Sequence, residues 1–94
     1  MPVKTNFKTQ PALTVNGSAG AWVSFAFPQG CTGFSIKEAG GLEYRVSSDG
    51  GVTSFKKDGA IEWLEDGLLI SNSRLIYFRM EGVGAGSLHI HTWQ

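Results

Sequence analysis

The chain has 94 residues and a mass of 10.1 kDa, with 8 Lys+Arg against 8 Asp+Glu, 2 His, 1 Cys and 13 Gly. A protein of this mass exposes about 5,300 Å² when folded and about 14,600 Å² when unfolded, which allows one modest core and not two, so residues 1–94 are expected to form a single domain. Zero formal net charge leaves no electrostatic footprint for nucleic acid, and no apolar stretch nears the roughly 18 residues of a membrane span; neither partner is expected.

Short apolar runs separated by turn residues predict an all-β chain, a single antiparallel sandwich, jelly-roll-like, of about eight to ten strands. Val3 to Lys8 alternates weakly and stops before Pro11. Ala12 to Val15 leads into Asn16-Gly17, a turn dipeptide; with Ser18 it also matches a glycosylation triplet, which without a secretory signal reads as a turn. Ala21 to Phe27 is the clearest strand, with Val23, Phe25 and Phe27 on one face and Trp22, Ser24 and Ala26 on the other. Pro28 and Gly30 close it. Phe34 and Ile36 share a face ahead of Gly40-Gly41, and Leu42, Tyr44 and Val46 oppose Glu43, Arg45 and Ser47. Asp49-Gly50 is a hairpin signal, because glycine accepts the positive φ that such turns demand.

Val52 to Phe55 reads as a short strand, followed by a turn at Lys57-Asp58-Gly59. Ala60 to Leu64 has two readings. Ile61, Leu64 and Leu68 would share a helical face with Asp58 near the N-cap and Gly67 past the end, whereas a strand puts Ile61 with Trp63. Strand is preferred, since no other segment reads as helix. Leu68 to Ser71, Arg74 to Met80 and Ser87 to Trp93 complete the set. In Arg74 to Met80, Leu75 and Tyr77 oppose Ile76, Phe78 and Met80, and two apolar faces imply a central strand or a subunit contact.

The only cysteine, Cys31, has no partner for an internal disulfide, so stability falls to the core or to oligomerisation. Met1 to Asn6 contains no apolar run of signal-peptide length, and synthesis in the cytosol is expected. A charged fraction of 17% is low against roughly 25% in ordinary domains, as for a surface partly covered by other protein.

Chemical motifs are sparse. Gly82-Val83-Gly84-Ala85-Gly86 has the wrong spacing for a dinucleotide loop and precedes strand-like Ser87-Leu88-His89-Ile90, so no helix N-terminus would hold a phosphate. His89 and His91 project from one face together with Trp93 and would share a metal only if Cys31, Glu81 or a symmetry-related pair supplied further ligands; an interface face of a terminal strand, with Leu88 and Ile90 in the core, accounts for them better, and neither metal nor cofactor is expected. Glu62, Glu65 and Asp66 form an acidic cluster better read as a solvated loop than as glycosidase carboxylates. No nucleophile elbow is present, and the chain is read as no enzyme. The aromatics carry more information. Trp22, Trp63, Trp93, Tyr44 and Tyr77 suit either sugar stacking or protein contact, and Trp22 lies on a small-residue face beside Ser24 and Ala26. The candidate interface residues are therefore Trp22, Tyr77, Phe78, His89, His91 and Trp93.

The stretches Ala21-Trp22-Val23-Ser24-Phe25-Ala26-Phe27-Pro28 and Leu75-Ile76-Tyr77-Phe78-Arg79-Met80, with the ending Leu88-His89-Ile90-His91-Thr92-Trp93-Gln94, make the chain resemble the small β-sandwich structural proteins of tailed bacteriophage virions. The resemblance implies a capsid decoration (cement) protein, made in the host cytoplasm and carried on the virion, that binds the major capsid protein and itself as a homodimer or homotrimer. The alternative is a carbohydrate-binding module that uses surface tryptophans such as Trp22 and Trp63.

Overall fold

The computed structural model describes residues 6–94. The first residues of the expected Val3–Lys8 strand, and most of the N-terminal stretch Met1–Asn6, lie outside them. Among the described residues nine strands form: β1 Lys8–Thr9, β2 Leu13–Val15, β3 Val23–Phe27, β4 Gly33–Glu38, β5 Tyr44–Ser47, β6 Phe55–Lys57, β7 Trp63–Asp66, β8 Arg74–Met80 and β9 Gly86–Trp93. Among the described residues no helix is long and apolar enough to cross a membrane.

The strands pair antiparallel in two sheets, ordered β1-β9-β4-β7 with β2 also on β9, and β3-β8-β5-β6. β1 and β2 lie one after the other along β9, interrupted at Pro11, which has no N–H to donate to the ladder. Counted as one broken strand, they make two four-stranded sheets. Apart from β1–β2 and β5–β6, every connection crosses from one sheet to the other. That order is a jelly roll.

Strand alternation explains the core. Leu88, Ile90 and Thr92 of β9 stand opposite Glu38, Ile36 and Phe34 of β4, while Val23 and Phe25 of β3 stand opposite Phe78 and Ile76 of β8. Val15, Phe27, Phe34, Ile36, Tyr44, Val46, Phe78, Met80, Leu88 and Ile90 form one buried cluster. A continuous aromatic path runs through it: Phe25 to Phe27 (4.9 Å), Phe27 to Phe34 (4.8 Å), Phe34 to Trp63 (5.0 Å) and Trp63 to Phe55 (5.9 Å). Burial pushes the Tyr44 phenol upward, and its Oη has no hydrogen-bond partner among the described residues. The folded chain exposes 5399 Å², close to the size scaling for one domain.

The strand reading of Ala60–Leu64 holds only from Trp63; the residues before it form a turn in which Ile61 N donates to Asp58 O. Leu68–Ser71 is not a strand. Its backbone still runs against the Gly30–Thr32 loop, with Leu68 N donating to Thr32 O, Ile70 N to Cys31 O and Ile70 O accepting from Gly30 N. That short ladder links two loops and closes one end of the sandwich. The expected Val52–Phe55 strand begins only at Phe55, because Ser48–Ser54 makes one wide turn with Gly50 and Gly51 at positive φ. Leu42 lies outside β5 and is exposed.

Glu38 is the buried charge that fixes the corner between β4, β5 and β9. Its carboxylate accepts from Leu42 N at 2.7 Å and Ser87 N at 3.4 Å, and Gly59 lies so close that a Cβ there would meet Leu42 O and the Glu38 side chain.

Candidate interaction surfaces

On the outer face of the β1-β9-β4-β7 sheet, register places His91 beside Ser35 and His89 beside Lys37. These four, with Phe7, Trp93 and Glu62, line a groove of about 500 Å³. His89, His91 and Trp93 share this face, as the spacing predicts, while Leu88 and Ile90 are buried beneath. Trp93 is nevertheless only 3% exposed. Its indole lies over Gly33, where any Cβ would collide with it, donates to Asp66 Oδ1 at 3.3 Å, and is stacked by Phe7 at 6.1 Å and 12°. Trp93 is thus a wall of the groove and not a free contact residue. Phe7 also stacks on His91 at 5.5 Å, and His91 Nδ1 shares a 3.1 Å hydrogen bond with Thr9 Oγ1. Sequence reasoning missed Phe7; its alternation with Thr9 was the available signal, masked by the break at Pro11.

Neither proposed extra metal ligand reaches the histidines. Cys31 is buried, with Sγ donating to Gly33 O, and Glu81 pairs with Arg45 at 3.1 Å on the other sheet. Among the described residues no three His, Cys, Asp or Glu side chains gather as a metal would require. The acidic cluster is also dispersed, because neighbours on a strand point to opposite faces. Glu65 accepts from Trp63 Nε1 at 3.0 Å, whereas Asp66 holds Trp93.

The outer face of the second sheet carries Trp22, Tyr77 and Arg79. Trp22 is half-buried, packed beside Gly51 with the Arg79 guanidinium 4.6 Å above its ring. Tyr77, also half-buried, sits between Ser24 of β3 and Ser47 of β5. Arg79 stands directly opposite Arg45, an unfavourable like-charge pair relieved by Glu81 on Arg45. Phe78, read from sequence as an interface residue, is fully buried. It points inward from β8 against Tyr44 and has no surface to offer a partner.

The third surface is an open side of the sandwich where the edge strands β6 and β7 approach one another. Trp63 and Ile76 line two adjoining grooves there, of about 250 and 360 Å³. Phe55 and Leu69 are exposed beside them, Leu69 to 80%, and Lys57 Nζ lies 4.5 Å over the Trp63 ring. Trp63 stands among the aromatics suited to sugar stacking or protein contact, and Ile76 lies on a strand with two apolar faces, but nothing in their spacing brings the two together at one opening. Comparison with family models, with curated proteins and with solved structures finds no match.

Proposed function

We propose that this chain is a non-enzymatic structural protein of a tailed-bacteriophage virion, a capsid decoration protein that binds the major capsid lattice as a homo-oligomer after synthesis in the host cytoplasm. The observation that carries the reading is the open side between β6 and β7. Trp63 and Ile76 line both grooves there, with Phe55 and Leu69 exposed beside them, and contiguous apolar surface with polar surroundings marks a protein contact. The neutral, weakly charged chain supports it, as does the jelly roll, an architecture used by viral capsid and lectin domains alike. Fold alone assigns neither role. The mechanism is clamping: apolar side chains at the opening seat on the shell and tie neighbouring capsid subunits together.

The test is co-sedimentation of the purified protein with procapsids and expanded heads. Binding is expected, and Leu69→Asp, which places a charge at the opening without touching the core, should weaken it at least tenfold. Failure of the wild-type protein to bind either particle ends this reading.

The carbohydrate alternative is favoured by one observation, the groove flanked by Phe7, His89 and Trp93 on the other sheet. Its tryptophan platform is not found. Trp22 is capped by Arg79 and Trp63 is packed edge-on against Phe34 and Phe55. A sugar would therefore stack on Phe7, and a glycan array with no hits removes the reading.

A further inference from the structure

We infer that β3 is the self-association edge of this protein, pairing antiparallel with β3 of a second copy about a two-fold axis through Phe25. The inference rests on the homo-oligomer half of the proposed function and adds its interface and register. A sheet edge presents unpaired N–H and C=O groups, and proteins normally guard such edges with charges, proline or a break in the strand. Three of the four edge positions are guarded in these ways. β6 carries Lys56 and Lys57, β7 carries Glu65 and Asp66, and the β1/β2 edge is broken at Pro11 with Lys8 beside it. β3 reads Val-Ser-Phe-Ala-Phe, with no charge, glycine or proline. All five residues pair with β8, and among the described residues none makes a backbone hydrogen bond on its other side.

Charge selects the occupant. Self-pairing at β6 would oppose lysines and self-pairing at β7 would oppose carboxylates, and like charges directly opposite destabilise a strand pair. β3 joins its own copy with no such cost. The two-fold at Phe25 sets Val23 against the second copy's Phe27 and Ser24 against its Ala26. Phe25, only half-buried in the single chain, then meets its own counterpart as an aromatic cross-strand pair. On the outer face the small Ser24 and Ala26 leave room for the approach, and Leu75, half-exposed beside Ala26, flanks the seam. The product is a closed two-fold dimer with a continuous eight-stranded sheet, a symmetry that ends growth at two copies.

Light scattering of the full chain between 1 and 100 μM, with near-UV circular dichroism to confirm folding, tests this. The wild-type mass should be twice 10.1 kDa. Ser24→Lys with Ala26→Lys places two pairs of like charges across the axis and should weaken dimerisation roughly tenfold or more. Ser24→Lys with Ala26→Glu should restore it, because each introduced lysine then faces the other copy's introduced glutamate only in the stated register. A monomeric wild-type protein, a mass unmoved by the paired lysines, or a folded lysine–glutamate variant that stays monomeric would each overturn the inference. Capsid co-sedimentation is scored separately. A dimer through β3 that binds no shell leaves this interface standing and removes the virion reading, and shell binding by a chain that does not pair through β3 does the reverse.

Discussion

Asp49 organises the wide turn between β5 and β6 almost alone. Its carboxylate accepts from Thr53 Oγ1 at 2.6 Å, Thr53 N at 2.9 Å and Ser47 Oγ at 2.7 Å, while Ser47 Oγ accepts in turn from Gly51 N at 2.8 Å. The hydrogen bonds from Thr53, then Ser47, hold the Asp49 carboxyl down at about 2 from its ordinary 3.8. A carboxyl lowered by folding stabilises the native state at pH values above its unfolded pKa, and that contribution drains away as the pH falls through the folded value. The wild-type protein should therefore lose stability between pH 4 and 2. Asp49→Asn should lose less across that interval, and thermal melts of the two proteins should converge toward pH 2. Equal slopes in both would mean that the turn draws nothing from the charge. Asp49-Gly50 was legible as a turn because the dipeptide names its own conformation. The hydrogen-bond ring was not, since Ser47 and Thr53 meet Asp49 only once seven residues have looped back.

At the scale of elements, periodicity located most strands and misjudged where side chains end up. β3, β8 and β9 fell where alternation placed them, because each is long enough for a period of two to repeat several times. Leu68–Ser71 has the same local look but meets another loop instead of a strand, a difference decided by tertiary position. Trp22 and Phe78 show the same limit. Alternation gives the face, yet only the assembled sheets decide that Phe78's face is the core and that Arg79 and Gly51 close over Trp22. Glu38 was invisible to pattern reasoning, since a charged residue inside an apolar alternation carries no sign of what it will bind. It joins the end of β4 to the approach to β5 and the start of β9. Glu38→Ala leaves those partly buried backbone donors without their acceptor, at a cost of about 1 kcal/mol or more. Glu38→Gln keeps an acceptor oxygen and should retain more than half of that difference. Urea unfolding of both variants measures it, and equal losses would show that the negative charge, and not the acceptor, holds the corner.

The molecule as a whole presents an apolar open side and an uncharged strand edge on a chain of zero net charge. The two ion pairs found among the described residues, Arg45–Glu81 and Lys56–Glu43, are both at the surface. Exposed pairs of this kind contribute little and are screened by salt, whereas apolar contact is not. Raising the ionic strength from about 0.1 M to 1 M shortens the screening length from roughly 10 Å to 3 Å, which would dismantle any assembly held by long-range charge. Association through Trp63, Phe55 and Leu69 with a shell, or through β3 with a second copy, should instead hold nearly constant, with dissociation constants moving less than roughly threefold over that range. Light scattering for the dimer and co-sedimentation for the shell can follow both across one salt series. A loss of tenfold or more in either would transfer that contact from the apolar surfaces to the basic face around Arg45, Lys56 and Arg79. Constancy in both would tie the low charge of the chain to the surfaces it uses.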